Sequence, residues 1–443
     1  MKSFFIITIG CQMNKSDSER VCSFLEDNAL IETKTRKEAD LIVLVTCGVR
    51  QKAEDRVYGL INKIKKDNSK VKIVLTGCLS KRKDVIKRLE DRVDIFLPIE
   101  NLANLSGLLN FSKRSKAYSK DYLKIRPKYN SFFSAFVPIG NGCNNFCSYC
   151  VVPYARGREV YRDIFDILDE IKYLIKNNYK ELNLISQNVN SYQIELEKDL
   201  KINNFFYKRG SVLNFVDLVK IIDSLEGDFW VRFSSSHPKD MNQKLIEILP
   251  KLDKFCEHIH LPVQCGSDKI LKLMNRKYSN RDYRILIEKI HDNYIKNNKK
   301  NLSITTDIIV GFPSEDKDDF EYTKKLFQDL KFDMAYIARY SVRPGTEASN
   351  MKDDLGMKEK ADREEILMDI LRKTSLKNNK KLIGKKLSVL IDGKNKKGEF
   401  FGKTRNNKLV KIKNDKNIDL FVGGFFEVKI IDCIDFGLMG ESV

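Results

Sequence analysis

Cys143, Cys147 and Cys150 form a C-x3-C-x2-C run, three of the ten cysteines inside eight residues. Three thiolates at that spacing wrap one face of a [4Fe-4S] cube and leave one iron without a protein ligand. An open coordination position distinguishes a metal site that performs chemistry from a closed structural one. The competing reading is a zinc knuckle, which here lacks its fourth ligand. The nearest histidine is His237, and no further cysteine follows closely. Three more cysteines, Cys11, Cys47 and Cys78, lie 36 and 31 residues apart, and each ends a short apolar run. The runs are Phe4 to Ile9, Leu41 to Val45 and Val71 to Leu75, each followed by a polar, helix-compatible stretch. Such βα units indicate a parallel sheet, and ligands collect at the carboxyl ends of its strands. The repeated placement predicts a second three-thiolate site with one open iron. Independent burial as small apolar side chains is the alternative. Cys22 lies on a helix near Val21 and Leu25 and reads as core.

The elements that position these thiols divide the chain into an α/β series: an N-terminal parallel-sheet domain over 1–110, a linker over 111–131, a partial TIM-like (β/α)6 barrel over 132–356, a connecting helix over 357–383 and a small all-β barrel over 384–443. Strand candidates in the barrel are Ala135–Ile139, Glu181–Ser186, Phe229–Ser234, Cys256–Val263, Ser303–Phe312 and Asp333–Ser341. Six repeats suit a partial barrel, with its chemistry at the carboxyl ends of the strands. The C-x3-C-x2-C loop follows the first strand. Gln187-Asn188-Val189-Asn190, Ser234–His237, Pro262–Ser267, Gly311-Phe312-Pro313 and Arg343–Thr346 follow the others. Arg156 and Arg158 come just after the cysteine loop, where a guanidinium can hold a carboxylate or phosphate. Position makes Arg156, Gln187, Asn188 and Gln264 candidates for binding a polar cofactor or substrate. His258 and His260 alternate on one strand and read as core or barrel-lining residues.

No run reaches the ~18 apolar residues of a membrane helix. The first eleven residues resemble a lipoprotein signal superficially, but a buried strand ending at Cys11 fits equally well. The expectation is a cytoplasmic protein without a membrane partner. Ten cysteines in such a chain favour metal or redox use over disulfides. The net charge of +19 fits either a Lys- and Asn-rich composition or a polyanionic partner. From Arg372 to Lys386 there are seven basic residues and no acid. In the last segment Phe400, Phe401, Phe421, Phe425 and Phe426 interleave with Lys403, Arg405 and Lys408, as in small barrels that bind RNA. A core role for most of these phenylalanines is the bland alternative.

Taken together these motifs resemble the radical S-adenosylmethionine methylthiotransferases, with a TRAM-like C-terminal barrel. The resemblance covers almost the whole chain. Gly10-Cys11-Gln12-Met13-Asn14, Cys150 to Glu159 and Gln187 to Tyr192 are similar to the branch acting on tRNA that bears N6-isopentenyladenosine. Other branches act on threonylcarbamoyl adenosine in tRNA or on a ribosomal-protein aspartate. A rival outside the family is an RNA-binding redox sensor with iron–sulfur clusters. The resemblance implies two [4Fe-4S] clusters and S-adenosyl-L-methionine. Cys143, Cys147 and Cys150 would hold the cluster that binds S-adenosylmethionine, and Cys11, Cys47 and Cys78 an auxiliary cluster presenting sulfur. It also implies an electron donor such as flavodoxin or ferredoxin, and a monomer. Cys265 stands where the family usually has Ser, and Gly48 where Ser is common.

Overall fold

The computed structural model describes residues 1–109, 121–413 and 418–443. The first domain holds β1 (Ser3–Ile9), α1 (Gln12–Asp27), β2 (Ile31–Glu32), β3 (Leu41–Thr46), α2 (Gln51–Asp67), β4 (Lys72–Gly77), α3 (Lys83–Leu89) and β5 (Ile95–Leu97). Its strands are all parallel, in the order β2-β1-β3-β4-β5. Central β3 is buried along its whole length. Val43 and Val45 pack on one face of the sheet, while Ile42 and Leu44 pack on the other. That is why its sequence is a continuous apolar run and not an alternating one. The N-terminal run that resembled a signal segment is β1, paired along its length with β3. Of the linker expected over 111–131, residues up to 120 lie outside the described ones. From Asp121 onward the chain is not a bare linker, because Tyr122, Leu123 and Ile125 are buried in the first domain's core.

The central domain holds β6 (Ser134–Pro138), α4 (Val152–Arg156), α5 (Ile164–Lys176), β7 (Glu181–Ile185), α6 (Phe215–Asp223), β8 (Trp230–Phe233), α7 (Gln243–Ile248), β9 (His258–His260), α8 (Asp268–Leu273), α9 (Asn280–Lys296), β10 (Ser303–Val310), α10 (Lys317–Leu330) and β11 (Met334–Arg339). Strands β6, β7 and β8 pair in parallel, as do β9, β10 and β11, and a parallel bridge from Val231 to Phe255 joins the two halves. The six-stranded partial barrel is therefore present. Its helices turn apolar stripes inward. In α5, Ile164, Ile167, Leu168, Ile171 and Leu174 recur at helical spacing and are buried, and Asp163 caps the helix by accepting from the Phe165 amide at 2.7 Å. A pair of short hairpins between Gln193 and Asn214 is inserted after β7, with no precedent in the expected pattern.

α11 (Met357–Lys380) leads to the last domain. β12 (Lys386–Lys394), β13 (Phe400–Thr404), β14 (Leu409–Lys413), β15 (Phe425–Ile434) and β16 (Gly437–Ser442) close into a barrel, ordered β12-β13-β14-β16-β15. The fifth strand opens with Gly437-Leu438-Met439-Gly440, where two glycines dilute the apolar run. This barrel packs on the amino-terminal ends of the central strands. Trp230, which opens β8, meets Phe425 at a ring separation of 4.6 Å. Arg232 donates to the Thr404 and Arg405 carbonyls at 2.8 and 2.7 Å. Arg405 pairs with Glu257, Lys408 with Asp333 and Lys403 with Asp392. The three cations expected to grip RNA are thus already paired, two of them across the domain interface. Phe400 fills the small barrel's core and Phe425 fills the interface, while Phe421 remains 59% exposed beside Phe426.

Candidate metal centres and the face between them

Strand register brings the N-terminal cysteines together. Ile9 pairs with Thr46, and Thr46 with Gly77, so the three chains end side by side and Cys11, Cys47 and Cys78 follow within two residues. Gly77 adopts φ +83°, and a Cβ there would stand 2.4 Å from the Thr46 carbonyl oxygen. Only glycine permits that approach, which lets the Cys78 amide donate to the same oxygen at 2.8 Å. Asn14, buried in the first turn of α1, ties two loops together. Its amide donates to the Thr46 carbonyl at 3.1 Å, and its oxygen accepts from the Cys11 amide at 3.2 Å. Burial pushes the Cys11 thiol up, and burial with the neighbouring Cys78 and Cys11 pushes Cys47 up to about 11. Neighbouring thiols whose charges interact resist becoming thiolates together unless a metal compensates.

The C-x3-C-x2-C loop crosses the carboxyl end of β6. Gly142, at φ +83°, lies so close to the returning chain that a Cβ would meet the Arg158 carbonyl oxygen at 2.1 Å. Phe146 is left-handed at φ +46°, which folds the loop between Cys143 and Cys147. The segment after α8 clamps it from across the mouth. The Ser148 hydroxyl donates to the Leu273 carbonyl at 2.7 Å, the Asn275 amide donates to the Phe146 carbonyl at 2.8 Å, and Arg276 donates to the Cys147 sulfur at 3.4 Å. Arg276 is buried, so it is a fixed donor to that sulfur; sequence reading had no signal for it. Burial pushes Cys143 up to about 11, and burial with Cys147 raises Cys150. The charge of Cys78 also raises Cys150, which places the two triads within electrostatic reach of each other.

Four barrel side chains help seat the first domain on the barrel. Arg156 pairs with Asp17 at 2.6 Å, and Arg20 with Glu170 at 3.0 Å. Arg343, after β11, donates to Gln51 at 2.8 Å and pairs with Glu54. Ser234, after β8, donates to Gln12 at 2.9 Å. Asp17 and Glu54 were not among the residues singled out, because their partners are 139 and 289 positions distant.

The other candidates separate. Gln187 accepts the Gly142 amide and so holds the cysteine loop. Asn188 donates to Asp240 at 2.7 Å, but its buried side-chain oxygen has no partner among the described residues. The buried hydroxyls of Ser186 and Ser236 are also unpartnered. Gln264 stands at φ +73°, its backbone bonded to Asp307 and Ile309 of β10 and its side chain without a hydrogen bond among the described residues. Arg156 differs from the expectation of a cofactor-facing loop residue. Its side chain is buried at the domain junction, committed to Asp17 and, at 3.0 Å, to Asn141. His258 and His260 both bond the Thr305 hydroxyl, at 3.0 and 2.9 Å, as barrel-lining residues. Cys265 is fully buried and contacts Thr323 at 3.4 Å. Six thiols in two triads, with three orphaned polar atoms past the ends of β7 and β8, fit metal clusters and a polar ligand at this mouth.

Residues 3–98 match the uncharacterized protein family UPF0004, 137–327 the radical SAM superfamily, and 380–443 the TRAM domain. Curated relatives are similar over the full length. A tRNA-2-methylthio-N(6)-dimethylallyladenosine synthase of Clostridium botulinum is 40% identical, covering 99% of this chain and 97% of its own. Those of Alkaliphilus oremlandii and Caldicellulosiruptor saccharolyticus are 36% and 40% identical, each over 100% of this chain and 93% of its own. The chain belongs to this synthase family. It is an enzyme with a radical SAM domain, and the family's cofactors are S-adenosylmethionine and [4Fe-4S] clusters. Among solved structures, the radical S-adenosylmethionine methyltransferase TsrM of Kitasatospora setae shares the fold at a TM-score of 0.52 and 10% identity, covering 79% of this chain and 75% of that one. No helix among the described residues is long and apolar enough to cross a membrane.

Proposed function

We propose that the protein methylthiolates C2 of N6-isopentenyladenosine beside the anticodon of tRNA, with Cys143, Cys147 and Cys150 holding one cluster and Cys11, Cys47 and Cys78 the other. The observation that carries this reading is that two cysteine triads on separate domains meet at one end of one barrel. When bound there, the clusters and S-adenosylmethionine supply a hydrogen-abstracting radical on one side and transferable sulfur on the other. The chain's own work is positional. Gln187 and Asn275 fix the cysteine loop, and Arg276 donates to Cys147. Gln264 and the unpaired atoms of Ser186, Asn188 and Ser236 orient the polar ligand. His237 stays neutral there: burial and Arg276 lower it to about 2, and its Nδ1 accepts the Lys239 amide at 3.2 Å.

The C-terminal barrel contributes to tRNA binding through cations outside its interface, such as Lys394, Lys413 and Lys429. A low-potential donor of the flavodoxin or ferredoxin type delivers the electron, and the enzyme works as a cytoplasmic monomer. Nucleoside mass spectrometry of tRNA from cells lacking the gene tests the substrate. The 2-methylthio-isopentenyladenosine signal disappears, and unmodified isopentenyladenosine accumulates. Persistence of the methylthio signal overturns the assignment.

A further inference from the structure

A pocket of about 360 Å³ opens between the turn after β8, α7 and the first half of α9. Its floor is apolar. Met241 and Ile246 are buried there, Leu286 is half-buried, and Ile285 at the edge is 38% exposed. Lys239, Lys277 and Lys289 surround that floor and are exposed. Lys239 pairs with Asp240 at 2.7 Å, whereas Lys277 and Lys289 have no ion pair among the described residues. Asp282, the one acid of the lining among the described residues, is engaged in capping α9. It accepts from the Ser279 amide at 2.9 Å and from its hydroxyl at 2.7 Å. One wall of the pocket leads to a cysteine of the barrel triad. Tyr278 lines the pocket, and its hydroxyl accepts from Arg276 at 2.7 Å. Arg276 in turn donates to the Cys147 sulfur at 3.4 Å. Both side chains are fixed, Tyr278 by donating to the Val263 carbonyl at 2.9 Å and Arg276 by donating to the Pro262 carbonyl at 2.8 Å. Two held side chains therefore separate the pocket from a thiol of the radical domain.

A surface for a phosphate backbone is polar throughout, whereas an apolar floor inside a charged rim is the anatomy of a protein interface. An apolar side chain of the partner fills such a pocket as its anchor. Acidic residues around that anchor meet the lysines and steer the encounter. The Tyr278–Arg276–Cys147 contacts say what such a partner exchanges, because on the proposed function the barrel cluster receives an electron from a protein donor. We propose that this pocket is the docking site of an acidic, low-potential one-electron carrier protein, which passes its electron across the Tyr278–Arg276 layer to the cluster. The carrier loses one electron and the cluster gains one, with no bond of the protein made or broken. This rests on the reading that Cys143, Cys147 and Cys150 hold a reducible cluster.

The test compares two reductants on the full-length reconstituted protein under anaerobic conditions. Photoreduced flavodoxin serves as the acidic carrier, and dithionite as a small reductant that needs no docking surface. Reduction is followed by electron paramagnetic resonance of the cluster whose signal responds to added S-adenosylmethionine. Absence of that signal with dithionite in the wild type defeats the cluster reading and the proposal with it. Its appearance with dithionite but not with flavodoxin defeats the proposal alone. In the double variant Lys277→Glu, Lys289→Glu the flavodoxin rate at low salt falls roughly tenfold or more, while the dithionite rate is unchanged. Isothermal titration with oxidised flavodoxin shows the same loss, as a Kd raised roughly tenfold. An unchanged flavodoxin rate, or an equal loss with both reductants, overturns the proposal. So does weakened tRNA binding with the flavodoxin rate unchanged, which makes the pocket part of an RNA surface. Should the double variant fail to fold, Ile285→Asp decides, because it removes an apolar contact and adds a charge of the carrier's sign. A loss confined to flavodoxin supports the proposal, and an equal or absent loss overturns it.

Discussion

Replacing Glu170 by Gln removes the charge on which the docking of the first domain depends. Glu170 accepts from Arg20 of α1 at 3.0 and 3.2 Å, from Arg162 and from the Tyr129 hydroxyl at 2.7 Å. Arg20 is 0% exposed, and the Arg162 and Glu170 side chains are 6% exposed. Removing one partner of a buried ion pair costs about 3–5 kcal/mol, because the remaining charge stays desolvated. Gln keeps the shape and some hydrogen bonds, which places the cost at the lower end, about 3 kcal/mol. Burial alone would raise the Glu170 carboxyl, but Arg20 and Arg162 hold it below its usual range. A depressed carboxyl adds stability that is present above the unfolded value of 4.5 and is lost as pH falls through the folded value.

The gap between wild type and Glu170→Gln is therefore full at pH 7.5 and narrows below pH 4.5. Guanidinium unfolding followed by circular dichroism at both ends of that range measures it. A second readout follows from geometry. The loosened junction leaves the barrel triad intact but misplaces the sulfur triad, so the yield of 5′-deoxyadenosine per methylthiolated product rises. A loss under about 1 kcal/mol at pH 7.5, the range of exposed pairs, with no change in that ratio, would refute the reasoning.

Gly142→Ala sets a Cβ 2.1 Å from the Arg158 carbonyl in a left-handed conformation. About half the iron should be absent from the reconstituted variant by colorimetric assay, since only one cluster's loop is displaced. Glu315, pushed up to about 7 by burial against the pull of Arg363 and the Gly311 and Phe312 amides, is favoured protonated in the fold. Its raised value means stability present at acid pH and lost as pH rises through 7. Glu315→Gln should gain on wild type by up to about 1.4 kcal/mol per pH unit between 4.5 and 7 and level off above, seen as a difference in Tm that widens from pH 4.5 to 7 and is constant from 7.5 to 8.5. Removing Lys394 with Lys413, small-barrel cations without an ion pair among the described residues, should weaken tRNA binding and make its salt dependence shallower by about 1–2 in log–log slope, read by filter binding. Arg405→Ala should instead destabilise the fold, because Arg405 is anchored to Glu257 and to the Asp253 and Phe255 carbonyls.

The cysteines were legible because strand ends are marked in the sequence. Apolar runs stop at Thr46-Cys47 and Gly77-Cys78, and parallel register does the rest. The six barrel strands were legible for the same reason. What the sequence could not show was pairing between distant charges. Arg156 reads as a loop cation beside a cluster, and nothing local says that Asp17 neutralises it. Lys403, Arg405 and Lys408 read as an RNA-binding face, yet Glu257 and Asp333, 148 and 75 positions away, claim two of them, and Asp392 on the neighbouring strand claims the third. Periodicity reports which face of an element is apolar; it carries no information on which distant carboxylate meets a given cation. β16 carries little strand signal because glycines at 437 and 440 dilute its apolar run.

The two ends of the central barrel divide the work. Carboxyl ends of the strands carry thiols, positive-φ residues such as Ser235 and Gln264, and unpartnered polar atoms. Such features cost stability and persist where surrounding structure over-determines them. Amino ends carry satisfied ion pairs and the Trp230–Phe425 contact, which anchor the small barrel. The small barrel therefore lies a barrel's depth from the chemistry. Along the eight residues of β10 that depth is about 26 Å. A lone nucleoside cannot touch both ends, whereas an anticodon stem-loop lying along the outside can. On the proposed function, binding energy from the far end is then available to seat the adenosine between the triads, which ties efficient reaction to an intact stem and not to the modified base alone.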